Sequence, residues 1–507
     1  MRRIILVVTV LLSIASFGQP TKQKGKQAGN PADKNARFEQ YIRQALQLWK
    51  TPGLSVAVVK DHQLVYEQGF GVTQLGRAEP FTTSTLSICA STTKAMTAVC
   101  MGLLVDEGKI KWTDKVTDVY PAFKLYDNYA SAEITIKDLF THNTGLGNAD
   151  LLWVFGFPTD TIINKMRLIQ PAYSFRASFT YQNLMYMLAG EVIHKVSGKP
   201  WDVFITERLF NPLGMHHTYP GYSQSAKEPS HITPHFMYED SIVKPITFID
   251  AKGVDAAGAV WSCADDIHKW MQFMLDSASI NGKKLLKPET YHELFKPQAI
   301  VTDAEFYPTQ QLTKPHWKTY GLGWFQEDYH GKMVQFHTGS LDGAVAILGL
   351  IPDENFGIYI FGNLDHTELR HALMYKAMDL WCFNDDTNDW SNSLYKLYVG
   401  IHKKAKEREE AEDAKRVLNT KPTLPLTAYT GKYHNDLYGD ASVALSNDSL
   451  VLNYPNHISL KLNHWNYDTF KGTYQYDWIG KTNIQFSLNA TAAVAQFEMD
   501  GLVYTKD

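Results

Sequence analysis

Between Ala90 and Val105 the chain reads as a helix with almost no polar face. Ser91-Thr92-Thr93-Lys94 is followed by Ala95-Met96-Thr97-Ala98-Val99-Cys100-Met101, and Gly108 is placed to stop it. A surface helix carries one apolar stripe, whereas one that is apolar all round has to be wrapped by other elements. The segment therefore demands a large domain, and 507 residues can supply one. The neighbouring patterns supply the wrapping. Gly53 to Val59 and Gln63 to Tyr66 read as two strands around a Lys60-Asp61-His62 turn. Leu184 to Val196 reads as a second buried helix, stopped by Gly198, and Ile267 to Leu275 as a third. Gly343 to Leu350 and Phe356 to Phe361 read as adjacent strands around Pro352-Asp353. Strands at both ends with helices between them predict an α+β domain over residues 37–385.

The pattern then changes twice. Residues 394–418 hold the densest charge run, HKKAKEREEAEDAKR, which reads as a solvated helix laced with i,i+4 pairs. A charged helical linker is expected over 386–423, broken by Lys421 to Pro425. Few contacts should cross such a bridge, so a chain ending near Asn384 is expected to keep its fold. From there short alternating runs follow, among them Val443-Ala444-Leu445, Leu450-Val451-Leu452, Leu460-Lys461-Leu462, Phe470 to Tyr474, Ile484 to Leu488 and Ala495 to Met499. They predict a small all-β, barrel-like domain over 424–507. At the other end, Met1-Arg2-Arg3, the apolar run Ile4 to Ala15 and the small residues around Gly18 read as a signal peptide over 1–18. The run is shorter than the ~20 residues a membrane span needs. The expectation is a periplasmic or secreted protein with no integral membrane segment after cleavage. Residues 19–36 read as a flexible leader.

Composition narrows the chemistry. Lys+Arg is 49 against Asp+Glu 53, so no basic excess exists to neutralise a phosphate backbone, and nucleic acid is not an expected partner. Four cysteines (Cys89, Cys100, Cys263, Cys382) without a CxxC spell neither a disulfide framework nor a thiolate zinc site, and no Cys89–Cys100 disulfide is expected. There is no H-E-x-x-H, no phosphate-binding Gly loop and no G-x-S-x-G elbow. No metal and no cofactor are implied. His216-His217 reads as a surface turn and His142 as a structural residue. The expected partner is a small molecule or short peptide as substrate; no feature specifies an oligomeric state.

What remains is Ser91-Thr92-Thr93-Lys94. Ser-x-x-Lys at a helix start puts hydroxyl and amine on one face, about 60° apart. In a buried helix the Lys is desolvated, its pKa falls, and it becomes a usable base for the Ser. Ser393-Leu394-Tyr395-Lys396 also matches, but beside the charged run nothing desolvates its Lys. The first copy has company: Tyr181-Gln182-Asn183 precedes the second buried helix, and His337-Thr338-Gly339-Ser340 follows the strand-like Met333 to Phe336. By themselves, Tyr181 is a helix-entry aromatic and Asn183 an ordinary N-cap.

The ordered trio S-x-x-K, Y-x-N, [KH]-T-G resembles the serine β-lactamase and penicillin-binding-protein superfamily, in its class C, D-aminopeptidase and esterase-like branch, over roughly residues 37–383. Thr51 to Ala57, Ile134 to Leu146 and Tyr320-Gly321-Leu322-Gly323-Trp324 also look like that family, and the tail resembles its lipocalin-like appended domain. The resemblance implies a sandwich of an antiparallel sheet and helices. It implies Ser91 as acylated nucleophile, Lys94 as its base, and Tyr181 as proton donor to the leaving group and activator of water. Asn183 would hold Lys94 and the substrate amide, His337, Thr338, Gly339 and Ser340 would line the substrate, and the N–H groups of Ser91 and Ser340 would form the oxyanion hole. True β-lactamases of this branch carry Lys where His337 stands. His337 is expected to be mostly neutral at pH 7, to hydrogen-bond Tyr181 or a neutral substrate, and to set the pH profile. The reading is therefore a peptidase or esterase, with a β-lactamase, an acylated sensor or a non-catalytic wall-binding protein as alternatives. Loops 151–171 and 302–317 are expected to set the substrate.

Overall fold

The computed structural model describes residues 31–248, 253–455 and 457–507. The expected signal peptide, and the leader as far as residue 30, lie outside them. The leader expectation fails at its C-terminal end: a helix runs Pro31–Trp49, with Pro31 at the first position, where its missing N–H costs nothing. Phe38, Ile42 and Ala45 anchor it by burial.

The large domain is organised on an eight-stranded antiparallel sheet. Its order is Gln63–Gly71, Gly53–Lys60, Phe356–Gly362, Ala344–Ile351, Lys332–Leu341, Phe325–Tyr329, Lys318–Tyr320, Ala299–Ile300. The first and last strands of this domain thus pair with each other, as second and third of the eight, with Val56 opposite Ile360. The central strands are continuously apolar because both faces are covered. Val56, Val58, Ile358 and Ile360 enter one hydrophobic cluster, and Ala57, Val59, Tyr359 and Phe361 the other, as a two-residue period requires. Helices Pro31–Trp49 and Leu369–Met378 pack on the first side; the helix Thr93–Asp106, buried from Thr93 to Leu104, lies on the second. The helix Asn183–Ser197 packs against it and ends at Gly198 in the left-handed region at φ 75°.

The C-terminal part is a closed barrel of eight strands between Gly431 and Lys506, sealed by Tyr433 opposite Lys506. All the alternating runs named above are strands; the closing pair Gly431–Asn435 and Leu502–Lys506 had no such signal. The bridge differs from expectation. Its helix, Trp390–Asp413, is solvated on all sides only in its later turns, while in the first turns Trp390, Ser391 and Leu394 are buried against the large domain and Asn392 and Ser393 face outward. Trp390 Nε1 donates to Asp379 at 2.8 Å, and Trp49 Nε1 to Ser391 Oγ at 3.0 Å. A cut near Asn384 therefore passes through a core rather than a linker. Nor is the barrel detached, since Phe155 stacks on its Tyr454 at 4.5 Å and 12°. All four cysteines are free thiols, and among the described residues no helix is long and apolar enough to cross a membrane.

Candidate active site

Ser91 sits in a 3-10 turn, Ala90–Thr92, that feeds the buried helix. Ala90, just before it, has φ 45°, a left-handed conformation that costs a non-glycine residue about 1 kcal/mol or more and persists only where packing enforces it. The enforcement is visible. Cys89 N donates to Val260 O at 2.8 Å, and Thr92 Oγ1 to Cys89 O at 2.9 Å. Gly339 of the third motif lies so close that a Cβ there would be 2.2 Å from Cys89 O. The strand Lys332–Leu341 can approach the nucleophile turn only because that residue is glycine.

Lys94 is fully buried. Its Nζ lies 3.1 Å from Ser91 Oγ, 2.8 Å from Asn183 Oδ1 and 2.9 Å from Ala257 O. Desolvation lowers its pKa from 10.5 to about 7, with the Asp150 carboxylate pulling weakly the other way. The amine is therefore substantially neutral near pH 7. A neutral amine has two N–H bonds and one lone pair. Asn183 Oδ1 and the Ala257 carbonyl can only accept, so they take the two N–H groups and leave the lone pair to Ser91 Oγ–H.

Tyr181 lies with its ring 4.7 Å below Lys94 Nζ. Its hydroxyl is buried without a hydrogen-bond partner. Burial raises its pKa well above 10, against the pull of the neighbouring Ser91 hydroxyl. Lys94 and Tyr181 are thus pushed apart, one toward a free base and the other toward a phenol that keeps its proton. His142 supports Tyr181. Its ring packs at 4.3 Å, its Nδ1 accepts from Gln182 N at 3.0 Å, and its backbone is left-handed at φ 58°. It is buried and, as expected, makes no direct approach to Ser91 in any hydrogen bond.

The third motif departs from expectation. His337 Nδ1 lies 2.6 Å from Thr338 O, which can only accept, so Nδ1 carries the proton. Nε2 then accepts from Tyr320 O–H at 2.9 Å. Both nitrogens are taken, and neither is left for Tyr181 or a substrate. Burial, with repulsion from Lys94, depresses the His337 pKa to about 3. It is neutral at pH 7, as expected, but it does not titrate between pH 6 and 8 and cannot set the profile there. Thr338 is similarly engaged, 2.5 Å from Tyr307 OH. Only Ser340 reaches the cleft, a cavity of about 50 Å³ lined by Ala90, Ser91, Trp153, Asn183, Val254, Ala257, Gly258, Ser340 and Leu341.

Three groups here were not among the residues singled out from sequence. Asp150 Oδ2 accepts from Asn183 Nδ2 at 2.9 Å. Arg370 donates to Gly339 O at 2.6 Å and Ser340 Oγ at 2.8 Å, while its charge is paired with Glu368 at 2.9 Å. Tyr320 lies in a segment quoted for its family likeness, but its role as a partner of His337 was invisible. A signal for Arg370 existed, since a charge inside the apolar pattern Leu369 to Met378 needs a buried partner. No comparable signal marks Asp150. His216 and His217 are exposed, and Ser393 lies on an exposed face of the bridge helix.

A helix-covered antiparallel sheet with Ser-x-x-Lys heading a buried helix defines the penicillin-recognising type of architecture. The Beta-lactamase family matches residues 38–380, and the chain belongs to that family. Residues 415–506 match a Domain of unknown function (DUF3471). The unguisins hydrolase of Aspergillus campestris is 28% identical over 449 residues, 83% of this chain and 79% of its own. Protein flp of Staphylococcus aureus is 24% identical over 348 residues, 66% of this chain and 64% of its own. The octameric penicillin-binding protein homologue from Pyrococcus abyssi shares the fold with a TM-score of 0.61 at 20% identity, covering 93% of this chain and 99% of its own. SurE does so with a TM-score of 0.56 at 18% identity, covering 94% and 99%.

Proposed function

We propose that the protein is an exported serine hydrolase that cleaves amide or ester bonds of small molecules or short peptides through an acyl-enzyme on Ser91, as a D-amino-acid-type peptidase or an esterase. The observation that carries this reading is the coordination of Lys94, with two acceptors holding its N–H groups and its lone pair left to Ser91 Oγ. In the first step neutral Lys94 takes the Ser91 proton as Oγ attacks the carbonyl carbon. The oxyanion that forms is held by the backbone N–H groups of Ser91 and Ser340, a device worth about 10²–10³ per donor elsewhere. Tyr181, protonated at neutral pH, gives its proton to the leaving nitrogen or oxygen, and the proton on Lys94 replaces it. In the second step water adds to the acyl carbonyl, its proton passes by the same pair, and Ser91 is released.

The charges of the cleft favour a peptidase or esterase over a β-lactamase. A β-lactam carries a carboxylate, and a cation facing the cleft would be needed to hold it. His337 is neutral with both nitrogens bonded, and Arg370 is paired with Glu368. The relative named as a hydrolase supports the general activity. The charged, apolar and small-residue pattern of residues 1–18 supports action in the periplasm or outside the cell. Nitrocefin, p-nitrophenyl acetate and D-alanine p-nitroanilide, each with Ser91→Ala as control, test the reading. Ser91-dependent turnover of the ester or anilide well above nitrocefin is expected; preferential turnover of nitrocefin would overturn the choice of substrate.

A further inference from the structure

We propose, on the serine-hydrolase reading, that Arg370 is a positioning residue of the oxyanion hole: it holds the Gly339–Ser340 peptide by its carbonyl oxygen and so sets the direction in which the Ser340 N–H meets the developing oxyanion.

Gly339 C=O and Ser340 N–H belong to one planar trans peptide and lie on opposite edges of it. Whatever fixes the oxygen therefore fixes the N–H. Arg370 Nη1 has two N–H bonds and two short contacts, to Gly339 O at 2.6 Å and to Ser340 Oγ at 2.8 Å, with Ala346 O further off at 3.4 Å. A guanidinium only donates, so Ser340 Oγ accepts, and its own hydrogen is left for the cleft that Ser340 lines. The rest of the fork is held in turn. Nη2 donates to Glu368 Oε1 at 2.9 Å and Nε to Glu368 Oε2 at 3.3 Å, a bidentate contact that sets the guanidinium plane.

The peptide needs such a hold. The strand Lys332–Leu341 is paired along one edge as far as Leu341 opposite Ala344, but along its other edge the ladder ends at Phe336 opposite Phe325. Gly339 and Ser340 are thus laddered on one side only. Cys89 O leaves no room for a Cβ at position 339, and the glycine this requires is the residue with the widest backbone freedom. A donor on a loose peptide loses its aim, and preorganised aim is what an oxyanion hole contributes. A hydrogen bond on the carbonyl also polarises the amide and strengthens its N–H as a donor. Helix stability does not account for this arginine. Arg370 is buried in the first turn of the helix Leu369–Met378, where the helix dipole disfavours a cation.

The test compares p-nitrophenyl acetate with its thiono analogue, in which C=S replaces C=O. The two share a leaving group, and sulfur is a weak acceptor that donors aimed at oxygen serve poorly. The readout is the ratio of their kcat/KM values, each divided by the rate of hydroxide attack on the same ester, so a general loss of activity in a variant cancels. The wild type is expected to favour the oxygen ester by about tenfold or more. Arg370→Met should cut that preference about tenfold, and Arg370→Lys, which keeps a charged donor, should fall between. Arg370→Met strands the Glu368 charge, so the double variant Arg370→Met/Glu368→Met, which removes the buried pair together, carries the same comparison if the single variant does not fold. An unchanged ratio in whichever of these two folds would make Arg370 a structural residue only and overturn the proposal, as would an absent preference in the wild type. Failure of the underlying reading looks different: no Ser91-dependent hydrolysis of p-nitrophenyl acetate at all.

Discussion

The interiors of the two halves are built on opposite terms. Inside the large domain Lys94, His337, Glu327, Glu368, Arg370 and Asp379 are all buried. Between Gly431 and Lys506, among the described residues, the buried side chains are aliphatic or aromatic, such as Leu452, Phe470, Phe486 and Phe497. Burying an ionisable group is costly unless it is paired or neutralised. The large domain uses both routes. Glu368 is paired with Arg370 and His371, while Glu327 is raised to about 7 by burial and held by Tyr375 at 2.6 Å. Lys94 is neutralised, and that neutral amine is the reagent. The barrel carries no such cost and no such chemistry. Its interior holds it together, and its Tyr438 and Tyr454 pack on Phe155 of the large domain.

The largest expected effect breaks one half without touching its stability. Ser91→Ala should lower hydrolysis of every substrate by about 10⁴ or more while Tm stays within about 2 °C, because the change is small and half-exposed. Ser393→Ala should leave kcat/KM unchanged. Retained turnover in Ser91→Ala would remove the nucleophile assignment.

Next in size is the boundary between the halves. A chain ending at Asn384 loses Trp390 and Leu394 from the large-domain core, a deletion of more than the ~3–5 kcal/mol that one buried Trp is worth. It should be insoluble or lack a cooperative melt, whereas a chain ending at Asp413 should fold. A well-folded 384-residue form would show that the bridge is a linker after all.

Phe486→Ala sharpens the contrast from the other side. It should destabilise the barrel by ~3–5 kcal/mol, read by denaturant titration, and leave the acid limb of the pH–rate profile where it was. A shifted limb would mean that barrel packing tunes Lys94.

The smallest effect has the opposite sign. The Lys94 pKa in the folded protein is lowered below its unfolded value, so its cost to stability grows as pH falls from about 10 to about 7 and is complete below that. Lys94→Met, though inactive, should raise Tm by about 2–4 °C at pH 7 and less at pH 10. A lower Tm at pH 7 would mean that the contacts of Lys94 outweigh its desolvation.

The same contrast explains what was legible in the sequence. The barrel strands could be read because period-two alternation survives wherever one face is wet, as from Leu460 to Leu462. In the first closing strand Lys432, His434 and Asn435 leave Tyr433 as the lone apolar residue, and in the second the short run Leu502-Val503-Tyr504 passes at once into Thr505 and Lys506. Ser91 and Lys94 could be read at the head of a buried helix, whereas Tyr181 and Asn183, by themselves ordinary helix-entry residues, stand out only through the ordered trio that resembles the family. The surroundings of His337 were not legible. Its charge state follows from Tyr320 O–H and Thr338 O, a tertiary arrangement that spacing does not encode. Trp390 falls within the linker expected over 386–423, although the charged run of its helix begins only after the turns that are buried.

The central claim is that Ser91 is acylated through a neutral Lys94. Rapid-quench mass spectrometry after mixing with p-nitrophenyl acetate measures this directly. The account predicts an acyl adduct on the peptide containing Ser91, forming at a rate that rises about tenfold per pH unit below 7 and levels off above about 8. An adduct on another residue, or an acylation rate flat from pH 5 to 8, would contradict it.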